Sequence, residues 1–106
     1  MTFVIRKEEE GDFQTVHSLH CAAFSGTAEA DLVDALRKSG DSVVSLVAVD
    51  AEDLILGHVL LSRLDAPMRA LALAPVAVLP EYQGCGIGSR LIRESLTQAE
   101  QSGWQS

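Results

Sequence analysis

Basic side chains are scarce: 8 lysines and arginines stand against 15 aspartates and glutamates in 106 residues, a formal net charge of −7. A domain that grips nucleic acid presents a basic face to neutralise phosphates, so no nucleic-acid partner is expected. Cysteine is almost missing. Cys21 and Cys85 lie in segments of different character, which supplies neither a disulfide framework nor the paired spacing of a zinc site, and both read as reduced thiols. There is no apolar run of about eighteen residues, so no membrane-spanning helix is expected. Met1–Arg6 has neither the charged start nor the apolar stretch of a secretion signal, and a soluble, cytoplasmic chain is the expectation. Repeats, low-complexity tracts and Pro/Ser linkers are absent too, so the chain reads as one domain.

What is present is enough for one core. Hydrophobic residues make up 47% of the chain, and a domain of this size buries roughly 65% of the surface it exposes when unfolded. Charge is unevenly spread: residues 1–53 carry 4 basic and 11 acidic side chains, residues 54–106 carry 4 of each. Thr2–Lys7 alternates Phe3 and Ile5 with polar neighbours and predicts a strand. Asp12 suits an N-cap, and Phe13, Val16, Leu19, Ala23 and Phe24 recur at helical spacing up to Ser25-Gly26. A second helix is expected over about Ala28–Ser39, with Leu32, Val33 and Leu36 inward and Gly40 as its stop. Ser42–Val49 and Leu54–Leu64 are apolar and β-branched, and the Asp50–Asp53 segment between them has the length of a hairpin turn. Arg69–Leu79 predicts a fourth strand. Pro75 cannot donate a ladder hydrogen bond, so a bulge or break is expected there. A last helix follows from Gly86 to about Ser102, with Ile87, Leu91, Ile92, Leu96 and Ala99 as its buried stripe. The expected fold is α/β (α+β): a mixed, mostly antiparallel sheet flanked by helices in the order β-α-α-β-β-β-α.

The segment Leu71–Leu91, LALAPVAVLPEYQGCGIGSRL, joins an apolar strand to this last helix through glycines at alternate positions, Gly84, Gly86 and Gly88. Without Cβ atoms the main chain can turn tightly and bring N–H groups against an anion, and the helix N-terminus adds roughly half a positive charge. A plain strand-to-helix turn is the unliganded alternative. Gly84-Cys85-Gly86-Ile87-Gly88-Ser89 half-fits the dinucleotide fingerprint G-x-G-x-x-G/A. However, a serine stands at its last position, and the preceding elements read as a meander. The Gly-Lys-Ser/Thr of a Walker loop is missing.

Gln83-Gly84-Cys85-Gly86-Ile87-Gly88, preceded by Val76-Ala77-Val78-Leu79-Pro80, resembles the Q/R-x-x-G-x-G/A signature of the GNAT superfamily of acetyl-coenzyme A dependent N-acetyltransferases. Phe24, Ala28–Val33, Leu36-Arg37 and Gly57-His58-Val59 are similar in order and spacing to its YhbS-like branch. The resemblance covers nearly the whole chain. It implies acetyl transfer from acetyl-CoA, as co-substrate, to a small-molecule or protein amine, with no metal. It also implies a pantetheine arm beside Val76, Ala77 and Val78 and a pyrophosphate at the segment Gln83, Gly84, Cys85, Gly86, Ile87, Gly88 and Ser89. In that family a fifth strand, a further helix and more strands follow. The chain is therefore expected to be the N-terminal part of such a domain, with its activity in doubt.

No acid or base stands out. Leu71–Ala74 offers no carboxylate where many relatives carry one, and Glu81 beside Pro80 could act as a base through a water but reads more readily as simply solvated. Tyr82 is not at the position of the family's usual acid. His58 in an apolar strand reads as a hydrogen-bonded core residue. Cys85, near a helix N-terminus, is a candidate for a mildly acidified thiol, though a tolerated small residue is the simpler reading. His17, His20 and Cys21 share a helix face, but no fourth metal ligand is placed by spacing. The acidic set Glu8–Glu10, Asp12, Glu29, Asp31 and Asp34 reads either as a field that draws a cationic amine or as a solvated surface. The alternatives to an enzyme are a module that pairs a foreign strand, or a second copy of itself, along an open sheet edge, and a dinucleotide-binding fragment.

Overall fold

A computed structural model describes residues 2–63 and 71–103. Strand β1 is Val4–Lys7, helices α1 and α2 are Phe13–Phe24 and Ala28–Ser39, β2 is Ser42–Val49, β3 is Ile55–Arg63, β4 is Leu71–Leu73, β5 is Ala77–Val78, and α3 is Ile87–Gln101. Single 3-10 turns at Glu10–Asp12 and Pro80–Tyr82 lead into α1 and toward α3. The strands pair antiparallel in the order β1-β2-β3, with β4 and β5 both on the far side of β3. The mixed antiparallel architecture is the expected one. The ends expected at Leu64 and Arg69, and the tail from Trp104, lie outside the described residues.

The two faces of the sheet bury different helices. Val44, Leu46, Ala48, Val59 and Leu61 pack with Ile87, Leu91 and Ala99 of α3. Val47, Val49, Ile55 and Ala77 pack with Val16 and Leu19 of α1. Alternation along β2 produces this split, since successive side chains leave a strand on opposite faces.

Pro75 interrupts the fourth strand as expected. Leu73 pairs with Leu61 and Ala77 with His58, so four steps of the interrupted strand span three of β3, a one-residue bulge. The hairpin turn also forms: Asp50 Oδ1 accepts the N–H groups of Glu52 at 2.8 Å and Leu54 at 3.0 Å.

Three expectations fail in detail. Asp12 stands at the expected N-cap position of α1 but makes no side-chain cap hydrogen bond there. Its carboxylate instead accepts the Glu9 N–H at 2.8 Å and both terminal nitrogens of Arg6 at 2.7 and 3.0 Å. That guanidinium holds the Asp12 carboxyl below the ordinary range. Phe13 and Phe24 are 37% and 39% exposed, so they sit at the rim of the α1 stripe, and His20 takes a buried place. Leu32 is 46% exposed, because Ala30 and Val33 form the inward face of α2.

Gly57 marks the tightest approach. A Cβ there would lie 3.0 Å from the Ala77 carbonyl oxygen, 3.0 Å from Leu91 Cδ1 and 3.2 Å from Ile87 Cγ2. A backbone carbonyl in a paired strand cannot swing aside as a side chain can. Gly57→Ala is expected to cost about 1–3 kcal/mol by overpacking, read as a lowered urea midpoint. An unchanged midpoint would show that β5 and α3 have slack.

Candidate functional site

The glycine segment builds an open cleft of about 410 Å³ lined by Val78, Tyr82, Gln83, Gly84, Gly86, Ile87, Gly88 and Ser89. Gly84 and Gly86 have φ of +83° and +84°, a region that disfavours side chains, and a Cβ on either would meet nothing within 4 Å. Gly86 is the N-cap of α3, and the first bond of that helix runs from the Arg90 N–H to the Gly86 carbonyl at 3.1 Å. Among the described residues the N–H groups of Ile87, Gly88 and Ser89 therefore have no acceptor, and they open on the cleft wall. Unsubstituted α-carbons beside free amides at a helix N-terminus fit a phosphate group.

The other candidate residues divide. Gln83 uses its side-chain amide to donate to the Val78 carbonyl at 3.0 Å, which latches the loop to the end of β5. The Leu79 N–H bonds the Leu56 carbonyl at 2.9 Å. By alternation Ala77 turns its backbone groups toward β3, while the N–H groups of Val76 and Val78 face the open edge. Val76, Ala77 and Cys85 do not line the cleft, although Cys85 is exposed. Glu81 is exposed, and Tyr82 is half-buried against the α3 side of the core.

The three residues drawn as metal ligands do not converge. His17 Nδ1 lies 2.8 Å from Asp34 Oδ2, His20 enters the core, and Cys21 is half-buried. His17, Asp31 and Asp34 do bring three donor atoms within 4.8 Å of one another. Asp34, however, is already divided between His17 and Arg37, the latter at 2.8 Å. The acidic set is partly spent as well. Glu8, only 3% exposed at its side chain, receives Arg37 through two nitrogens, one of them Nε at 3.0 Å.

Reasoning from the sequence missed a buried chain of polar groups. His20 Nε2 lies 2.9 Å from His58 Nδ1, His58 Nε2 lies 2.8 Å from Ser45 Oγ, and Ser45 Oγ donates to Glu8 Oε1 at 2.8 Å. Both rings are fully buried. Burial, then the Arg37 charge, lowers the His20 pKa to about 4, and burial, then His20 and Arg37, holds His58 well below its ordinary value. Ser45 and His58 each interrupt an apolar strand on the α1 face, the one signal that pointed here.

An acid limb of stability follows. Each ring binds a proton more weakly folded than unfolded, so its stabilising contribution is complete above about pH 6.5 and erodes as pH falls toward 4. For His20 alone the loss between pH 7 and 5 is about 2 kcal/mol, with His58 acting in the same direction. Asp12 adds to it only at lower pH, below its ordinary range. Urea unfolding at pH 7.5, 6 and 5 checks this, and a flat profile would contradict it.

A strand edge leads into a glycine cradle at a helix N-terminus, an arrangement in an α/β domain whose geometry fits a phosphorylated ligand beside the sheet. The model of the Acetyltransferase (GNAT) family matches residues 13–106, and the chain belongs to that family. It is 35% identical to the uncharacterized N-acetyltransferase YjhQ of Escherichia coli, over 98% of this chain and 61% of that protein. To the uncharacterized N-acetyltransferase YhbS of the same organism it is 33% identical, over 95% and 62%. The chain thus spans about three fifths of the length of these curated relatives. Among solved structures it resembles a GNAT family acetyltransferase from Brucella melitensis in complex with acetyl-CoA. There the TM-score is 0.89 and the identity 38%, over 97% of this chain and 71% of that one. It also resembles Escherichia coli YhbS in complex with CoA, with a TM-score of 0.91 and 32% identity over 96% and 58%. Among the described residues no helix is long and apolar enough to cross a membrane.

Proposed function

We propose that the protein transfers an acetyl group from acetyl-CoA to a primary amine, in the cytoplasm. The observation that carries this is the row of unpartnered N–H groups at Ile87, Gly88 and Ser89 beside Gly84 and Gly86, which suits the pyrophosphate. The backbone N–H groups of Val76 and Val78 suit the pantetheine arm, which would lie along the open edge like an added strand. An amide of the same edge would suit the polarisation of the thioester carbonyl. Gln83 lines the cleft while its side chain latches the loop, and Ala77 serves through its position. The two relatives bound to CoA or acetyl-CoA support the same ligand here.

Calorimetric titration of acetyl-CoA into protein expressed from its complete reading frame tests the reading. Saturable binding that nicotinamide nucleotides do not compete away is expected. No binding would remove it, and competition by those nucleotides would favour a dinucleotide site.

A second reading rests on Leu73, 51% exposed on β4, and on the edge of β4 and β5 that no described strand covers. Pairing of two copies along that edge would give a homodimer. Sedimentation as a monomer at high concentration would dismiss it.

A further inference from the structure

Residues 83–86 bridge the two walls of the glycine cleft, and all of them are exposed. The wall at β5 is held to β3 by the Leu79 N–H, which donates to the Leu56 carbonyl at 2.9 Å, and the wall at α3 is held by the buried Ile87 and Leu91. The bridge has little of its own. A Cβ at Gly84 or Gly86 would meet nothing within 4 Å, so no packing braces it there. Among the described residues, a single side-chain hydrogen bond ties it to the sheet: Gln83 Nε2 donates to the Val78 carbonyl at 3.0 Å. Gln83 and Val78 both line the cleft.

The acceptor of that bond is the informative end. Ala77 stands opposite His58 and the Leu79 N–H bonds Leu56, so both residues turn their backbone groups toward β3. Val78 lies between them and turns its carbonyl, like its N–H, to the open edge. An extended ligand lying on that edge could pair with the outward N–H and C=O groups of Val76 and Val78. Gln83 withdraws one of them. With the Val78 carbonyl covered, the edge offers the Val76 N–H, the Val76 carbonyl and the Val78 N–H, and the open pattern stops beside the cradle.

We propose that Gln83 sets the register of the pantetheine arm: by covering the Val78 carbonyl it leaves the arm one alignment on the edge, and so fixes where the thioester carbonyl comes to rest. This rests on the acetyl-CoA reading above. The arm carries amide groups that each hold a donor and an acceptor, so an edge with every outward group free would accept it in more than one alignment. Backbone pairing alone specifies register weakly. The covered carbonyl removes the alignment in which an arm N–H donates to Val78, and the arm must then pair through the groups that remain. Gln83 is thus a positioning residue that acts through the strand edge and touches no reacting atom. A misplacement of about 1 Å at the reacting carbonyl can cost about 100-fold in rate, so the register matters more to turnover than to affinity.

Gln83→Met tests it, because methionine keeps the reach of the side chain and cannot donate. In protein expressed from its complete reading frame, acetyl-CoA Kd by calorimetry is expected to stay within about threefold of native or to tighten, while kcat with a panel of small primary amines falls about tenfold or more. The carbonyl stretch of acetyl-CoA labelled with carbon-13 at the thioester, read by infrared difference, should be lowered in the native complex and return toward its value in water in the variant. That measurement needs no acceptor amine. A variant that keeps the native carbonyl stretch, or a kcat within about twofold of native, overturns the proposal. A Kd weakened about tenfold with kcat unchanged overturns it too, since Gln83 would then hold the ligand directly. In the native complex the Gln83 amide must still bond Val78. Loss of the scalar coupling across that hydrogen bond when acetyl-CoA is added therefore overturns the proposal without any variant. Native protein that fails to bind acetyl-CoA would instead sink the transferase reading.

Discussion

Gly86→Val is expected to weaken acetyl-CoA binding by about 100-fold or more, roughly 3 kcal/mol, and to do so at the phosphate end of the ligand. Gly86 has φ +84° and caps α3, so a β-branched residue there must either leave the left-handed region or bear strain of about 1–2 kcal/mol. Leaving it would turn the N–H groups of Ile87, Gly88 and Ser89 off the cleft wall. Keeping it would put side-chain atoms into space that is free for 4 Å around. Gly88→Ala separates conformation from bulk. A Cβ at Gly88 would meet Val78 Cγ2 at 3.7 Å, an ordinary contact, without a positive φ, so a loss under about tenfold is expected. Calorimetry on the three proteins checks both. Equal affinity for native and Gly86→Val would remove the cradle from the site.

That contrast shows how far the sequence could be read. Three alternate glycines point to a phosphate cradle, but which of them are needed as glycine depends on φ, which no spacing reveals. Gly84 and Gly86 are left-handed, whereas Gly88 is an ordinary first-turn residue. The α2 span, its Gly40 stop and the Pro75 bulge were legible, because each follows from local chemistry: periodicity, a left-handed cap and a missing N–H. The inward faces of α1 and α2 were less legible. Phe13 and Leu32 sit at helical spacing yet face outward, since the sheet accepts only the stripe of Val16, Leu19 and His20 with Ala30 and Val33. The buried chain of polar groups was hidden for a different reason. Its members come from β1's end, α1, α2, β2 and β3, and only tertiary pairing brings Ser45 to within 2.8 Å of both Glu8 and His58. Read singly, His58 is a core histidine and Glu8 opens a surface acidic run. Together they form one polar seam beneath the helices.

Arg37→Ala is expected to be the most damaging single change, costing about 3–5 kcal/mol, the range for stripping one partner from a buried ion pair. Glu8 is 3% exposed at its side chain and Arg37 11%, so the carboxylate would be left desolvated, with the Ser45 hydroxyl as its remaining donor. The damage would spread along the seam. Without the guanidinium the Glu8 carboxylate loses the partner that fixes its position, and the hydrogen bonds from Ser45 to His58 and His20 lose their anchor. Phe13 would also lose the guanidinium stacked 4.2 Å above its ring. Arg37→Lys should recover only part of the loss, because an ammonium cannot make the two-nitrogen contact to Glu8 while also reaching Asp34. The double change Glu8→Gln with Arg37→Met removes both charges and should be milder than Arg37→Ala alone. Thermal melts at pH 7.5 rank the three variants, with Arg37→Ala lowest by roughly 10 °C or more. A double change as damaging as Arg37→Ala would mean that the charge left on Glu8 is not what destabilises the fold, and the cost would have to lie in lost packing around Phe13 and Asp34.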